Sequence, residues 1–316
     1  MALDLLATGY PSLDYIFAVS RAAGEDETAI VETLPEGPTF GGCGANVAVA
    51  LARLGFKSGV AMVLGDDEMG RRYERYLGEA GVDVGNVVRR ADGGTSRSHL
   101  FRNPAGGYQN FFYPGAATRW QGPLSLRGAG EARAALLTVG APEYNRAFAR
   151  EVVRQGAPLL WQLKSDVYSY PQPFVAWLAE HSRVLFMNEV EAVYLAQALE
   201  IESVAALAGR ERMVVITAGE AGSTVLGAGE ARRAPAVRGE RVVDPTGAGD
   251  GYTAGFLAGW LRGHSPAVCG RLGATLASFV VEAVGCQTRL PTWAQLTARY
   301  QEQFAETVPT IKHEAS

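Results

Sequence analysis

The sequence predicts an α/β fold: a central, mostly parallel sheet flanked by helices, with a small antiparallel β-sheet lid inserted at two points. Three observations predict it. Apolar β-type runs alternate with helical patterns along most of the 316 residues, the mark of βα units. Two stretches break that alternation between core units. With 47% hydrophobic and 20% charged residues, the chain can bury a large core without metal or disulfide staples.

The elements follow in order. Short apolar runs predict strands at 3–8, 59–64, 135–139, 159–163, 184–187, 213–217 and 223–226. Apolar residues at i, i+3 and i+4 predict helices at 45–54, 69–80, 147–155, 174–180, 189–199, 248–261, 267–284 and 292–304. The stretches 15–40 and 94–113 fit neither rhythm. In the second, the runs 96–101 and 108–113 flank a turn rich in Asn, Pro and Gly, which reads as a β-hairpin. The large domain is therefore expected over 1–14, 41–93 and 117–316, and the lid over 15–40 and 94–116. Residues after 304 read as loose chain beyond a final helix.

Composition excludes several classes. The net charge of −4 argues against nucleic-acid binding, which needs an electropositive face. Cys43, Cys269 and Cys286 form neither a CxxC pair nor a zinc spacing, which predicts a reducing compartment. The N-terminal residues lack the basic region of a signal peptide, and no apolar run reaches membrane-spanning length. A cytoplasmic protein with no membrane partner is expected. No GxxxxGK[ST] loop occurs, so a P-loop mechanism is excluded.

The strongest chemical signal is Asp244-Pro245-Thr246-Gly247-Ala248-Gly249-Asp250, leading into the predicted helix 248–261. Glycines expose consecutive N–H groups, and the helix N-terminus adds partial positive charge, so the loop suits an anion. Asp250 stands where a carboxylate could take the proton of an attacking hydroxyl, or merely cap the helix. The second signal is Gly41-Gly42-Cys43-Gly44-Ala45-Asn46, again before a helix, where Asn46 offers both donor and acceptor. Taken alone, it also fits a tight loop. Asn188-Glu189-Val190-Glu191 opens a helix after a strand, as a dipole-favoured N-terminus would. Thr217-Ala218-Gly219-Glu220-Ala221-Gly222 follows another strand and would serve as a hairpin turn.

Together these motifs, in order and spacing, resemble the ribokinase-like (PfkB) family of carbohydrate and nucleoside kinases over almost the whole chain. The resemblance implies a ribokinase-like fold and an ATP-dependent phosphotransferase with an alcohol group as acceptor. It implies that Asp250 is the catalytic base and that the N–H groups of Gly247, Ala248 and Gly249 form an anion hole for the γ-phosphoryl group. Asp14 matches the early aspartate that holds sugar hydroxyls, with Gly42 and Asn46 completing that pocket. Asn188, Thr217, Gly219 and Gly222 would serve ATP, and Glu191 would place Mg²⁺ through water.

In relatives activated by a monovalent cation, positions matching Asp244 and Thr246 line the ion site. Here Arg289 stands where many of them carry Ser, and an always-charged guanidinium there implies weak or absent K⁺ activation. At the strand end Trp161-Gln162-Leu163-Lys164, many relatives carry Asp or Asn. Gln162 or Lys164 would face substrate or phosphates, or Lys164 would simply be exposed.

The segments 111–116 and 280–288 resemble bacterial and archaeal adenosine and nucleoside kinases within the family. That implies a nucleoside such as adenosine as acceptor, with Phe112 stacking on the base or packing under the lid. A free sugar or sugar acid of the ribose, fructose or 2-keto-3-deoxygluconate type is the alternative, and a non-catalytic nucleotide- or sugar-binding relative the third. Unpaired lid edges favour a homodimer through the lid, although monomeric relatives exist.

Overall fold

The computed structural model describes residues 2–164 and 170–311. In chain order its first elements are β1 (Leu5–Thr8), β2 (Ser12–Val19), β3 (Val31–Thr33), β4 (Thr39–Gly41), α1 (Cys43–Arg53), β5 (Ser58–Gly65), α2 (Glu68–Glu79), β6 (Asp83–Arg90), β7 (Arg97–Arg102) and β8 (Tyr108–Tyr113). There follow β9 (Ala135–Leu137), α3 (Pro142–Arg154), β10 (Leu159–Gln162), α4 (Gln172–His181), β11 (Ser182–Asn188), α5 (Glu189–Ala198), β12 (Met213–Thr217), β13 (Ser223–Gly227) and β14 (Glu230–Ala234). The chain closes with α6 (Ala248–Leu261), α7 (Pro266–Val280) and α8 (Trp293–Phe304).

The larger sheet runs β14-β13-β12-β11-β10-β9-β1-β5-β6. From β12 to β6 every pair is parallel, and β13 and β14 add an antiparallel end. Parallel strands covered on both faces need apolar side chains on both, and β1 and β5 are buried along their whole lengths. Alternate residues feed two cores. Leu5, Ala7, Val60 and Met62 meet α1, α2 and α6, while Leu6, Ala61, Trp161 and Leu185 meet α3, α4 and α5. The chain builds β5 and β6 on one side of β1, then β9 to β12 on the other. Loops after β1 and β9 therefore diverge and leave a crevice at the strands' C-terminal ends, where α/β sheets hold ligands.

The second sheet is the lid, with order β3-β2-β7-β8 and β4 also paired to β2. The hairpin joins β7 and β8 from Arg97↔Tyr113 to Arg102↔Tyr108. Strand β2 starts at Ser12, so Asp14 lies on this sheet rather than at the end of the large domain, and β4 carries the lid to Gly41. Period-2 alternation gives the sheet two unlike faces. Tyr15, Phe17, His99 and Phe101 stack on the outer face, where Phe111 is 62% exposed. The inner face carries Asp14, Ser98, Leu100, Asn110 and Phe112 toward the crevice.

Two strands, β6 and β14, escape sequence patterning. Both are edges of the large sheet with polar residues at exposed positions, so neither shows an apolar run. Helix α3 begins at Pro142, five residues before the expected 147, because a proline is tolerated in the first turn. Helix α7 stops at Val280, where turns replace the expected continuation to 284.

Helix α6 is buried on nearly every side and lies tightly on α7. A Cβ at Gly255 would stand 2.4 Å from the Leu272 carbonyl oxygen. Gly255→Val is therefore expected to destabilise the fold by about 1–3 kcal/mol through overpacking. Urea denaturation of the variant beside wild type measures this, and an unchanged midpoint would refute the close approach.

Candidate active site

The crevice between the large sheet and the lid is a cavity of about 530 Å³. Its floor is the N-terminus of α6. Gly247 precedes the helix with φ +82°, a left-handed conformation, and a Cβ there would stand 2.5 Å from the Cys286 sulfur. Only glycine suits both conditions. Among the described residues the N–H groups of Gly247 and Gly249 have no hydrogen-bond partner, whereas that of Ala248 donates to the Pro245 carbonyl at 3.2 Å. Two of the three N–H groups expected in the anion hole are thus uncommitted.

Asp250 lies in the first turn of α6 and is 7% exposed. Both of its oxygens are engaged: Asn46 Nδ2 donates to Oδ2 at 2.7 Å and Gln162 Nε2 to Oδ1 at 2.6 Å. Asn46 comes from the first turn of α1 and Gln162 from the end of β10, so residues far apart in sequence converge on one carboxylate. Gln162 Oε1 is buried without a partner among the described residues. The thiol of Cys43 is pushed up to about 12, first by burial and then by the charge of Asp250, so it is neutral there.

Asp14 faces the same cavity from the lid. Burial raises its pKa, while the Ser12 hydroxyl, the charge of Lys164 and the Ser98 hydroxyl pull it down. Ser12 Oγ donates to Asp14 Oδ1. Gly42 has φ +102°, and a Cβ there would lie 2.3 Å from the Tyr10 carbonyl oxygen, which lets the chain pass close under the lid before α1. Phe112 lines the cavity and meets Tyr10 edge-on at 5.0 Å. It therefore packs on Tyr10 while lining the cavity, whereas Phe111 is exposed on the outer face.

Farther along, Asn188 caps α5 in a reciprocal box: Glu191 N donates to Asn188 Oδ1 and Asn188 N to Glu191 Oε2, each at 2.8 Å. Both residues also line the cavity. Thr217 lines it too, but Gly219 and Gly222 do not. Those two, with φ +54° and +92°, shape the tight turn between the antiparallel β12 and β13. Lys164 is exposed, but into this cavity, and the acidic groups around it raise its ammonium pKa. Among the described residues no cluster of three His, Cys, Asp or Glu is arranged to hold a metal. A Mg²⁺ here would rely on Glu191 with phosphates and water, which suits a hard cation that keeps its hydration.

Asp244 is only 2% exposed and accepts from Thr246 N at 3.1 Å and Gly285 N at 3.4 Å. Arg289 does not reach it. That guanidinium pairs instead with buried Glu282 at 2.9 Å and with Glu240 at 3.4 Å. The cation near Asp244 is Arg102 on lid strand β7, 3.9 Å from Oδ2, which also donates to the Val243 carbonyl at 3.2 Å.

Sequence reasoning missed Tyr10, Ser98, Tyr108 and Asn110, all of which line the cavity. The signal was period-2 alternation in β7 and β8, which puts Ser98, Tyr108 and Asn110 on the same inner face as Phe112.

A nucleoside kinase of Methanocaldococcus jannaschii is 30% identical over 301 residues, covering 94% of this chain and 97% of that one. The crystal structure of a nucleoside kinase from that organism, described as an archaeal member of the ribokinase family, has a TM-score of 0.84 at 28% identity, covering 95% of this chain and 99% of the other. A Burkholderia thailandensis nucleoside kinase in complex with inosine shares the fold with a TM-score of 0.85 at 24% identity, over 96% and 100% of the two chains. The 5-dehydro-2-deoxygluconokinase of Geobacillus kaustophilus is 25% identical over 96% of this chain and 94% of its own. The family model for pfkB family carbohydrate kinases matches residues 4–293, and the chain belongs to that family of ATP-dependent phosphotransferases.

Proposed function

We propose that the protein transfers the γ-phosphoryl group of ATP to the primary hydroxyl of a nucleoside such as adenosine. One observation carries this reading: Asp250, the uncommitted N–H groups of Gly247 and Gly249, Asp14 and the inner-face aromatic Phe112 all open on a single cavity. Asp14 and Asn46 would hold ribose hydroxyls, and Phe112 with Tyr108 would offer faces to a base. Asp250 would accept the hydroxyl proton as the oxygen bonds to the γ-phosphorus and the bond to the β-phosphate oxygen breaks. Gly247 and Gly249 would meet the charge on the transferring group. Glu191 and Asn188 would help place Mg²⁺, whose charge neutralises the phosphates when bound, and Thr217 would border the nucleotide. Among the described residues no helix is long and apolar enough to cross a membrane, which fits a cytoplasmic enzyme.

A free sugar or sugar acid is the second reading, favoured by the fact that Asp14 and Asn46 would serve ribose alone equally well. A coupled ADP-release assay with Mg-ATP against adenosine, inosine, guanosine, cytidine, ribose, fructose and 2-keto-3-deoxygluconate separates the two. The highest kcat/KM is expected for a nucleoside. Asp250→Asn is expected to lower kcat by roughly two to four orders of magnitude while leaving nucleoside affinity largely intact. Turnover of sugars alone would overturn the nucleoside assignment, and near-normal turnover by the variant would overturn the base.

The permanent charge of Arg102 beside Asp244 would supply what a monovalent cation supplies elsewhere. Turnover in choline chloride and in KCl is expected to agree within about twofold, and a large gain in K⁺ would refute this.

The aromatic outer face of the lid and the exposed edge strand β3 favour a homodimer through the lid. Light scattering is expected to give twice the chain mass of 33.6 kDa, and a purely monomeric species at micromolar concentration would exclude it.

A further inference from the structure

Behind Asp250 runs a line of hydrogen bonds that leaves the cavity. Asn46 Nδ2 donates to Asp250, Gln287 Nε2 donates to Asn46 Oδ1 at 2.7 Å, and Tyr76 Oη donates to Gln287 Oε1 at 2.7 Å. Tyr76 belongs to α2 and Gln287 follows α7, and neither lines the cavity. The ring of Tyr76 is fixed against Phe40 at 4.6 Å, and burial keeps its phenol protonated, ready to donate.

The direction of this line is dictated by chemistry. A carboxylate only accepts, so Asn46 must turn its NH₂ toward Asp250 and its oxygen away. That oxygen requires a donor, which Gln287 supplies only with its own oxygen facing Tyr76. Each carboxamide is thereby held in one of its two orientations, and every donor points at the carboxylate. Successive bonds of this kind polarise one another in a buried setting. Were Asn46 to turn over, its oxygen would face Asp250 and repel it.

We propose that Gln287 and Tyr76 are positioning residues for the phosphoryl transfer: through Asn46 they keep the Asp250 carboxylate supplied with a donor and fixed in orientation from outside the cavity. This rests on the reading of Asp250 as the base. Glutamate at 287 supplies the sharpest test, because only its protonated form can both donate to Asn46 and accept from Tyr76 as glutamine does. Its ionised form cannot donate. Methionine keeps the bulk and removes both functions at every pH.

The experiment compares wild type, Gln287→Glu, Gln287→Met and Tyr76→Phe in the ADP-release assay from pH 5.5 to 8.5, together with urea midpoints across the same range. Gln287→Met is expected to lower kcat about tenfold, as loss of a hydrogen bond in a charged network would, at a ratio to wild type that does not change with pH. Gln287→Glu should fall further at pH 8.5 and recover toward wild type as the pH drops. Tyr76→Phe should lose less than Gln287→Met, and in an Asp250→Asn background Gln287→Met should cause no further loss, since an asparagine there no longer imposes the direction. Equal, pH-independent losses in the Glu and Met variants, effects on KM alone, or wild-type rates throughout would overturn the proposal.

The urea midpoints read the line without any turnover. Relative to Gln287→Met, the Glu variant should be less stable as pH rises through the glutamate's titration, because the group is harder to ionise in the folded chain than in the unfolded one. A pH-independent difference would refute the line. A wild-type protein inert toward every acceptor would instead refute the kinase reading, with the midpoints still deciding the hydrogen-bond line.

Discussion

Burying a carboxylate costs free energy unless donors and favourable dipoles replace water, and Asp250 sits at such a place in the first turn of α6. Much of the molecule answers that constraint. Helix α6 supplies its positive end, α1 brings Asn46 to one carboxylate oxygen, and β10 brings Gln162 to the other. The two carboxamides come from opposite sides of the strand-order reversal, so closing the large sheet around β1 also closes the donors around Asp250. Close packing between α6 and α7 at Gly255 holds the helix that carries Asp250.

The lid solves a different problem with the same economy of period. Strand alternation hands one set of side chains to the cavity and the other to the outside, so a polar and aromatic lining and an aromatic outer face arise from the same strands. Arg102 ends β7 on the inner side and reaches the Val243 carbonyl and Asp244, in the loop that leads to Gly247. The lid and the loop before α6 are thus tied by a guanidinium.

The central sheet was legible because parallel strands buried on both faces must be apolar throughout, and 213–217 was read to the residue. Helix 248–261 was equally plain, since glycines and a carboxylate mark its start and uninterrupted apolar residues its body. Edge strands β6 and β14 were not legible, because a strand with one partner and a wet face needs no apolar run. In the site, Asp250, Asn46 and Asp14 stood out by motif. Gln162 was singled out only as facing substrate or phosphates, and the line through Gln287 was not legible, because Gln162 reaches Asp250 and Gln287 reaches Asn46 through contacts 88 and 241 residues apart in sequence. Arg289 shows the converse, since its sequence position suggested Asp244 and the buried Glu282 claimed it instead.

Charge balance explains why amides rather than carboxylates or cations flank Asp250. Asp14, Asp250 and Glu191 already face one cavity, with Lys164 the basic side chain lining it among the described residues. A carboxylate in place of Gln162 would set like charges against Asp250 and force one of them to protonate. A lysine or arginine would hold the carboxylate too firmly as an anion for it to take a proton. A neutral amide donates one hydrogen bond to each oxygen, orients the group, and leaves a second lone pair on each for an incoming hydroxyl. Positive charge at the cavity comes from Lys164 and from the N-terminus of α6, where Thr246, Gly247 and Gly249 line it. Under the proposed function, the site would separate a neutral, hydrogen-bonding grip on the proton acceptor from a grip on the phosphoryl group at the positive end of α6.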